Sequence, residues 1–168
     1  MTYYRDLTDY EYHWAFYRPG TKNVGWLGVG LEFDVAAPTE ELLSRLWGFC
    51  KISVAQTRGI HECEFCPGQG QSSYFAERNG EHLLLGTAEI RVFSKTDGLY
   101  AAPTLIYHYV KVHKYRPPDE FVQALTDGPA PPSEEYFARL AKLNLEWSKT
   151  SAPETNPVRF SLKSSSGS

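Results

Sequence analysis

Apolar residues recur at helical spacing in three stretches of the chain, each opened by capping residues. Leu43, Leu46, Trp47, Cys50 and Val54 follow Thr39, whose hydroxyl can cap, and Glu40 and Glu41, which suit the positive end of a helix dipole. Gly48 weakens the second half of that helix. "PPDEFVQALTDG" reads as a short helix, with Pro118 early, Asp119 and Glu120 in the first turn and Gly128 beyond the end. Ser133 then caps the cleanest stripe in the chain: Tyr136, Leu140, Leu143 and Trp147. A fourth apolar stretch, "LYAAPTLIYHYVKVHKY", begins extended because Pro103 restricts Ala102, and its remainder is read as helix rather than strand.

Alternation is strongest in "HLLLGTAEIRVFS". Thr87, Glu89 and Arg91 fall on one face of the expected strand, and Ala88, Ile90 and Val92 on the other. The Glu89–Arg91 face is expected to meet solvent, with a pocket wall as the alternative. A short strand is expected in "GWLGVGLEFDV", a turn at Pro19-Gly20, a loop over "PGQGQSSYFAERNGEH" and a connector at "GPAPP". Helices and strands mix without regular alternation. The expected fold is therefore α+β, a single compact domain over 1–150 with a small, mostly antiparallel sheet packed with three to four helices. Residues 151–168 read as a flexible Pro/Ser-rich tail.

Aromatic residues make up 14% of the 168 residues and Met1 is the only methionine, so the core is expected to be built from rings and aliphatics. The aromatic N-terminus from Tyr3 to Tyr17 is expected to cover the sheet as core and rim, or else to form a recognition surface. A net charge of -3 speaks against a phosphate-gripping surface. No apolar run approaches the roughly 18 residues of a membrane span. "MTYYRDLTDYEY" lacks the basic start and apolar run of a signal peptide, which makes the cytoplasm the default location. Thiols stay reduced there, so a close cysteine pair points to metal or redox chemistry before a structural disulfide.

Such a pair lies in "GIHECEFCPG". Cys63 and Cys66 stand at C-x2-C spacing, which lets one turn present two thiolates to a common zinc ion. His61, two residues before Cys63, shares its side if the chain is extended there. The fourth ligand is sought among His108, His113, His82, Cys50 and water. His108 and His113 diverge by about 140° on a helix and lie on opposite faces of a strand, so one of them is expected to reach the cluster. His108 is preferred because it follows the apolar "TLIY" run; Cys50 reads as a small core hydrophobe. The expected set is His61, Cys63, Cys66 and His108 around a structural zinc. Free thiols in a turn, a redox dithiol and a catalytic metal are the alternatives. A zinc deaminase would need H-x-E ahead of a later P-C-x-x-C, and that order fails here. A hydrolytic zinc would need an open water position and a nearby carboxylate, which Glu62, Glu64 or Glu89 could supply, with Glu62 and Glu89 the candidate general bases.

Several strings stand together in a way that resembles a known family: "NVGWL", "RGIHECEFC", "GTAEIRV" and "YAAPTLIYHYVKVHKYRPPDEFVQAL", from about residue 20 to 126. The resemblance is to small bacterial proteins described only as a domain of unknown function. It implies that the H-x-C-x2-C segment, the Glu89 strand and the His108 segment belong to one design, and it brings no reaction with it. The reading that follows is a cytoplasmic zinc-binding module that binds a partner protein, in one version an immunity or antitoxin-like protein. A metal-dependent hydrolase is the alternative.

Overall fold

The computed structural model describes residues 3–150 and residue 152, so the expected tail over 151–168 lies almost wholly outside the described residues. In chain order the elements are β1 (Thr21–Asn23), α1 (Glu40–Cys50), β2 (Ile52–Ser53), β3 (Phe75–Arg78), β4 (Glu81–Leu84), β5 (Glu89–Phe93), β6 (Leu99–Pro103), α2 (Ile106–His113), α3 (Asp119–Asp127), α4 (Glu134–Lys142) and β7 (Ser148–Lys149). The arrangement is α+β. A three-stranded sheet runs β1-β6-β5, and two-stranded pairs join β2 to β7 and β3 to β4. All pairings are antiparallel except β1 with β6.

The helices start where their caps predict. The Thr39 hydroxyl accepts from the Leu42 N–H, and the Ser133 hydroxyl accepts from the Tyr136 N–H. Each answers one of the orphan donors at a helix N-terminus. α1 buries Leu46, Trp47, Phe49 and Cys50 and ends at Cys50, short of Val54. α4 also stops early. Asn144 takes φ 51, and Trp147 leaves the helix to stack on Phe137 at 4.3 Å. The stretch after Pro103 is the helix α2, closed by Lys114 in the left-handed conformation.

Three expectations about strands need correction. "HLLLGTAEIRVFS" is two strands broken at Gly86, whose φ of 78 leaves the extended region. The stretch read as a loop contains β3, which pairs with β4 through a two-residue turn at Asn79-Gly80. Both turn residues have positive φ, as a twist-matched hairpin turn demands. The short strand expected in "GWLGVGLEFDV" is only an isolated bridge from Val35 to Tyr115; the nearby strand is β1, three residues upstream of Trp26.

The Glu89–Arg91 face, expected to be wet, is buried. Every residue of β5 is buried, with Glu89 2% and Arg91 0% exposed. α1 and α3 pack against β5, while the N-terminal chain reaches Glu89 through the Tyr10 hydroxyl and Arg91 through the Phe16 carbonyl. Tyr10 is fully buried with Trp26 and Ala101, and Tyr4, Tyr12 and Phe16 pack around them. Arg91 donates to Glu89 Oε2 at 2.6 Å, and the Tyr10 hydroxyl donates to Glu89 Oε1 at 2.9 Å. The guanidinium lies 4.9 Å from the Tyr10 ring centroid. Two charges can occupy this interior because each is held by the other and by further hydrogen bonds.

Candidate metal centre

The loop after β2 turns sharply at the cysteines. The Cys66 N–H donates to the Cys63 carbonyl at 3.2 Å, and Gly68 follows at φ 77. The loop is fixed at its start by the His61 N–H, which donates to the Gly86 carbonyl at 2.8 Å. Phe65 anchors it in the middle by packing edge-on against Phe33 and Tyr109. Both thiols are thereby buried, Cys63 3% and Cys66 5% exposed. They face α2.

α2 supplies two imidazoles. His108 Nε2 lies 3.5 Å from Cys66 Sγ, and His113 Nε2 lies 3.2 Å from both Cys63 Sγ and Cys66 Sγ. One donor atom from each of Cys63, Cys66, His108 and His113 falls within 4.8 Å of all the others. Zinc bonds of about 2.3 Å to sulfur and 2.0–2.1 Å to nitrogen in a tetrahedron separate ligand atoms by about 3.3–3.8 Å. The sulfur–nitrogen distances of 3.2–3.5 Å are already close to those of a tetrahedral S2N2 site, and the 4.8 Å bound on the whole group leaves small side-chain shifts to complete it.

The structure brings together Cys63, Cys66 and His108 of the sequence-expected set, and joins them with His113 in place of His61. The angular argument against two histidines from one helix fails because it tracks Cβ directions alone. An imidazole reaches well past its Cβ, so two rings on neighbouring turns can lean toward one point beside the helix; the centroids here are 5.1 Å apart. His113 ends the helix, where the chain turns away through Lys114, and its ring is steadied by Phe65 at 5.3 Å. His61 points elsewhere: its Nε2 lies 3.4 Å from the Tyr12 hydroxyl. Cys50 is a buried core residue against the Thr104 carbonyl, and His82 is exposed on β4.

Burial sets the protonation of the metal-free cluster. It lowers the His108 pKa to about 4, helped by the neighbouring His113, and it lowers His113 as well. It pushes the Cys63 thiol up to about 12, with the adjacent Cys66 adding to the rise. Both imidazoles are therefore held in the neutral form that ligates, while at least one sulfur keeps its proton until a cation displaces it. No carboxylate belongs to the group. Of the two candidate bases, Glu62 is exposed and Glu89 is committed to Tyr10 and Arg91.

Fold and site together define a small α+β protein carrying a Cys2His2 cluster able to hold a metal ion. The chain belongs to the family described as a domain of unknown function (DUF7919), which matches residues 2–126 and so takes in β1 through most of α3, with all four cluster residues inside it. The match reaches further toward the N-terminus than the motif strings do, over the Tyr10 segment that covers Glu89. No curated protein and no solved structure matches the chain. Among the described residues no helix is long and apolar enough to cross a membrane.

Proposed function

We propose that Cys63, Cys66, His108 and His113 hold one structural zinc ion, and that the protein acts as a zinc-stapled binding module. The observation that carries this reading is the convergence of four ligand atoms, two thiol and two imidazole, with no carboxylate among them. That composition suits zinc, and four protein ligands leave no open position for a substrate or an activated water. The ion would tie the loop after β2 directly to α2, two segments that the chain connects only through β3, β4, β5 and β6.

Cobalt substitution tests it. A closed S2N2 site gives the intense visible bands of four-coordinate cobalt with thiolate charge transfer, unchanged by added azide or thiocyanate. Bands that shift on adding those anions would mean an open coordination position, and with it a catalytic ion.

The role we propose for the module is recognition of a partner protein in a bacterial cytoplasm, where thiols stay reduced and available to zinc. The support is a surface with several exposed aromatics, Trp14 at 87% and Tyr3 and Tyr17 near half, residue types that dominate interface energetics. An immunity or antitoxin-like role is the concrete form of this proposal, resting on small size, mild acidity and aromatic content. A partner captured by the wild type and equally well by a Trp14→Ala, Tyr17→Ala double variant would remove that surface from the account.

A further inference from the structure

Two open grooves of about 750 and 620 Å³ meet beside the N-terminal segment. They share Tyr4, Arg5 and Leu31, so they form one trough between residues 3–11 and the loop at residues 27–35. Half-buried Tyr4, Leu31 and Phe33 give it an apolar floor. Five carboxylates line it, Asp6, Asp9, Glu11, Glu32 and Asp34, against two cations, Arg5 and Lys22. That local excess of three negative charges equals the net charge of -3 for the whole chain, so the remaining side chains balance. Lys22 is already paired with Asp9 at 2.6 Å. Arg116, whose N–H donates to the Asp34 carbonyl at 2.8 Å, directs its guanidinium to Asp119. Glu11, Glu32 and Asp34 are exposed at the rim. Asp6 lies deeper and accepts from the Gly25 N–H and the Tyr115 hydroxyl. Burial raises its pKa against those two hydrogen bonds, and Asp34 adds to the rise.

We propose that this trough docks an extended segment of a partner protein in which Lys or Arg alternates with aliphatic residues. The inference rests on the partner-binding reading above and names the chemistry of the partner. A cleft lined by one sign of charge over a low-dielectric floor focuses its field, and here the sign selects a basic ligand. Alternation matches the trough because an extended chain turns successive side chains to opposite sides, one set to the acidic rim and the other to the Tyr4, Leu31 and Phe33 floor. The loop wall is held from behind by the segment between the two cysteines. The Val29 N–H donates to Glu64 Oε2 at 3.1 Å, and Phe33 meets Phe65 edge-on at 5.6 Å. A wall fixed in advance lowers the ordering cost of binding. A second copy of this chain does not fit, since it would set the same negative excess against itself.

The test is an NMR titration of the full-length protein with the probe acetyl-Lys-Val-Arg-Leu-Lys-Val-Arg-Leu-amide. The same peptide with Glu at each basic position is the charge control, and spermidine is the cation without apolar side chains. The basic probe should give saturable shifts at the Leu31, Glu32 and Asp34 amides, with a Kd on the order of 100 μM at low salt. The acidic peptide and spermidine should bind at least about tenfold more weakly. Glu32→Lys with Asp34→Lys should weaken the basic probe at least about tenfold, whereas Asp127→Lys with Glu146→Lys, an equal change of net charge elsewhere, should weaken it less than about twofold. If the first pair does not fold, Glu32→Gln with Asp34→Asn decides, with a loss of about threefold expected. No saturable shift at about 1 mM, spermidine equal to the peptide, or equal losses in the two charge-reversed pairs would each overturn the proposal. A probe lost in the Trp14→Ala, Tyr17→Ala variant but not in the trough variants would overturn it while leaving partner binding in place.

Discussion

His113 Nε2 lies 3.2 Å from Cys66 Sγ, joining the last residue of α2 to a loop 47 residues earlier in the chain. That contact makes His113, and not His61, the residue whose loss should open the cluster. His113→Ala should reduce zinc affinity by at least about tenfold, the scale seen when a metal site loses a supporting group. His61→Ala should leave affinity close to the wild type. Competition against a chromophoric chelator reads both. Equal losses in the two variants would return His61 to the ligand set.

Zinc uptake should release protons. At neutral pH both imidazoles are already neutral, because burial lowers their pKa values, so they contribute none. The Cys63 thiol, pushed up to about 12, must lose its proton to ligate. Apparent affinity should then rise by about tenfold per pH unit for each thiol proton displaced. As the pH falls toward about 4, protonation of His108 adds a further loss. Calorimetry at pH 7 in buffers of different ionisation enthalpy should find at least one proton released per zinc. No release would mean that sulfur does not bind the ion.

The buried pair of Glu89 and Arg91 should be expensive to break. Arg91→Met leaves the Glu89 carboxylate in an apolar interior with only the Tyr10 hydroxyl, and should cost about 3–5 kcal/mol in urea unfolding. Tyr10→Phe removes one hydrogen bond to a charged group and should cost about 1.5–3 kcal/mol. A loss under about 1 kcal/mol for Arg91→Met would show that the carboxylate is better hydrated than its 2% exposure implies.

Gly86 should not tolerate alanine. Its φ is 78, and a Cβ there would run into the His61 carbonyl, at the point where the cysteine loop is fastened to the sheet. Gly86→Ala should cost about 1–3 kcal/mol by strain alone. It should also displace the loop and so weaken zinc binding. Gly80→Ala, in the hairpin turn with open space around it, should cost stability but leave zinc binding intact. Parallel melting curves and zinc titrations of the two variants check this.

The chain showed its helices more readily than its site. Thr39 and Ser133 announce α1 and α4 because a cap is a local interaction, complete within four residues. Cys63 and Cys66 were equally legible, since one turn carries both. His113 was not, because its approach depends on how α2 lies against a loop about 50 residues away, which no spacing rule encodes. The burial of Glu89 and Arg91 was hidden for a similar reason. Alternation reports that a strand has two faces, but not that the aromatic N-terminus folds over the polar one. The β3–β4 hairpin was within reach: "RNGE" contains the Asn-Gly pair favoured by two-residue hairpin turns, and the polar composition around it masked the signal.

Metal analysis of the protein purified without chelators or added metal bears most directly on the central claim. The account predicts close to one zinc per chain in the wild type and almost none in a Cys63→Ser, Cys66→Ser variant, whose melting temperature should fall to that of the chelator-treated wild type. A wild-type protein that carries no zinc, takes none up when it is supplied and melts at the same temperature with and without it would contradict the account.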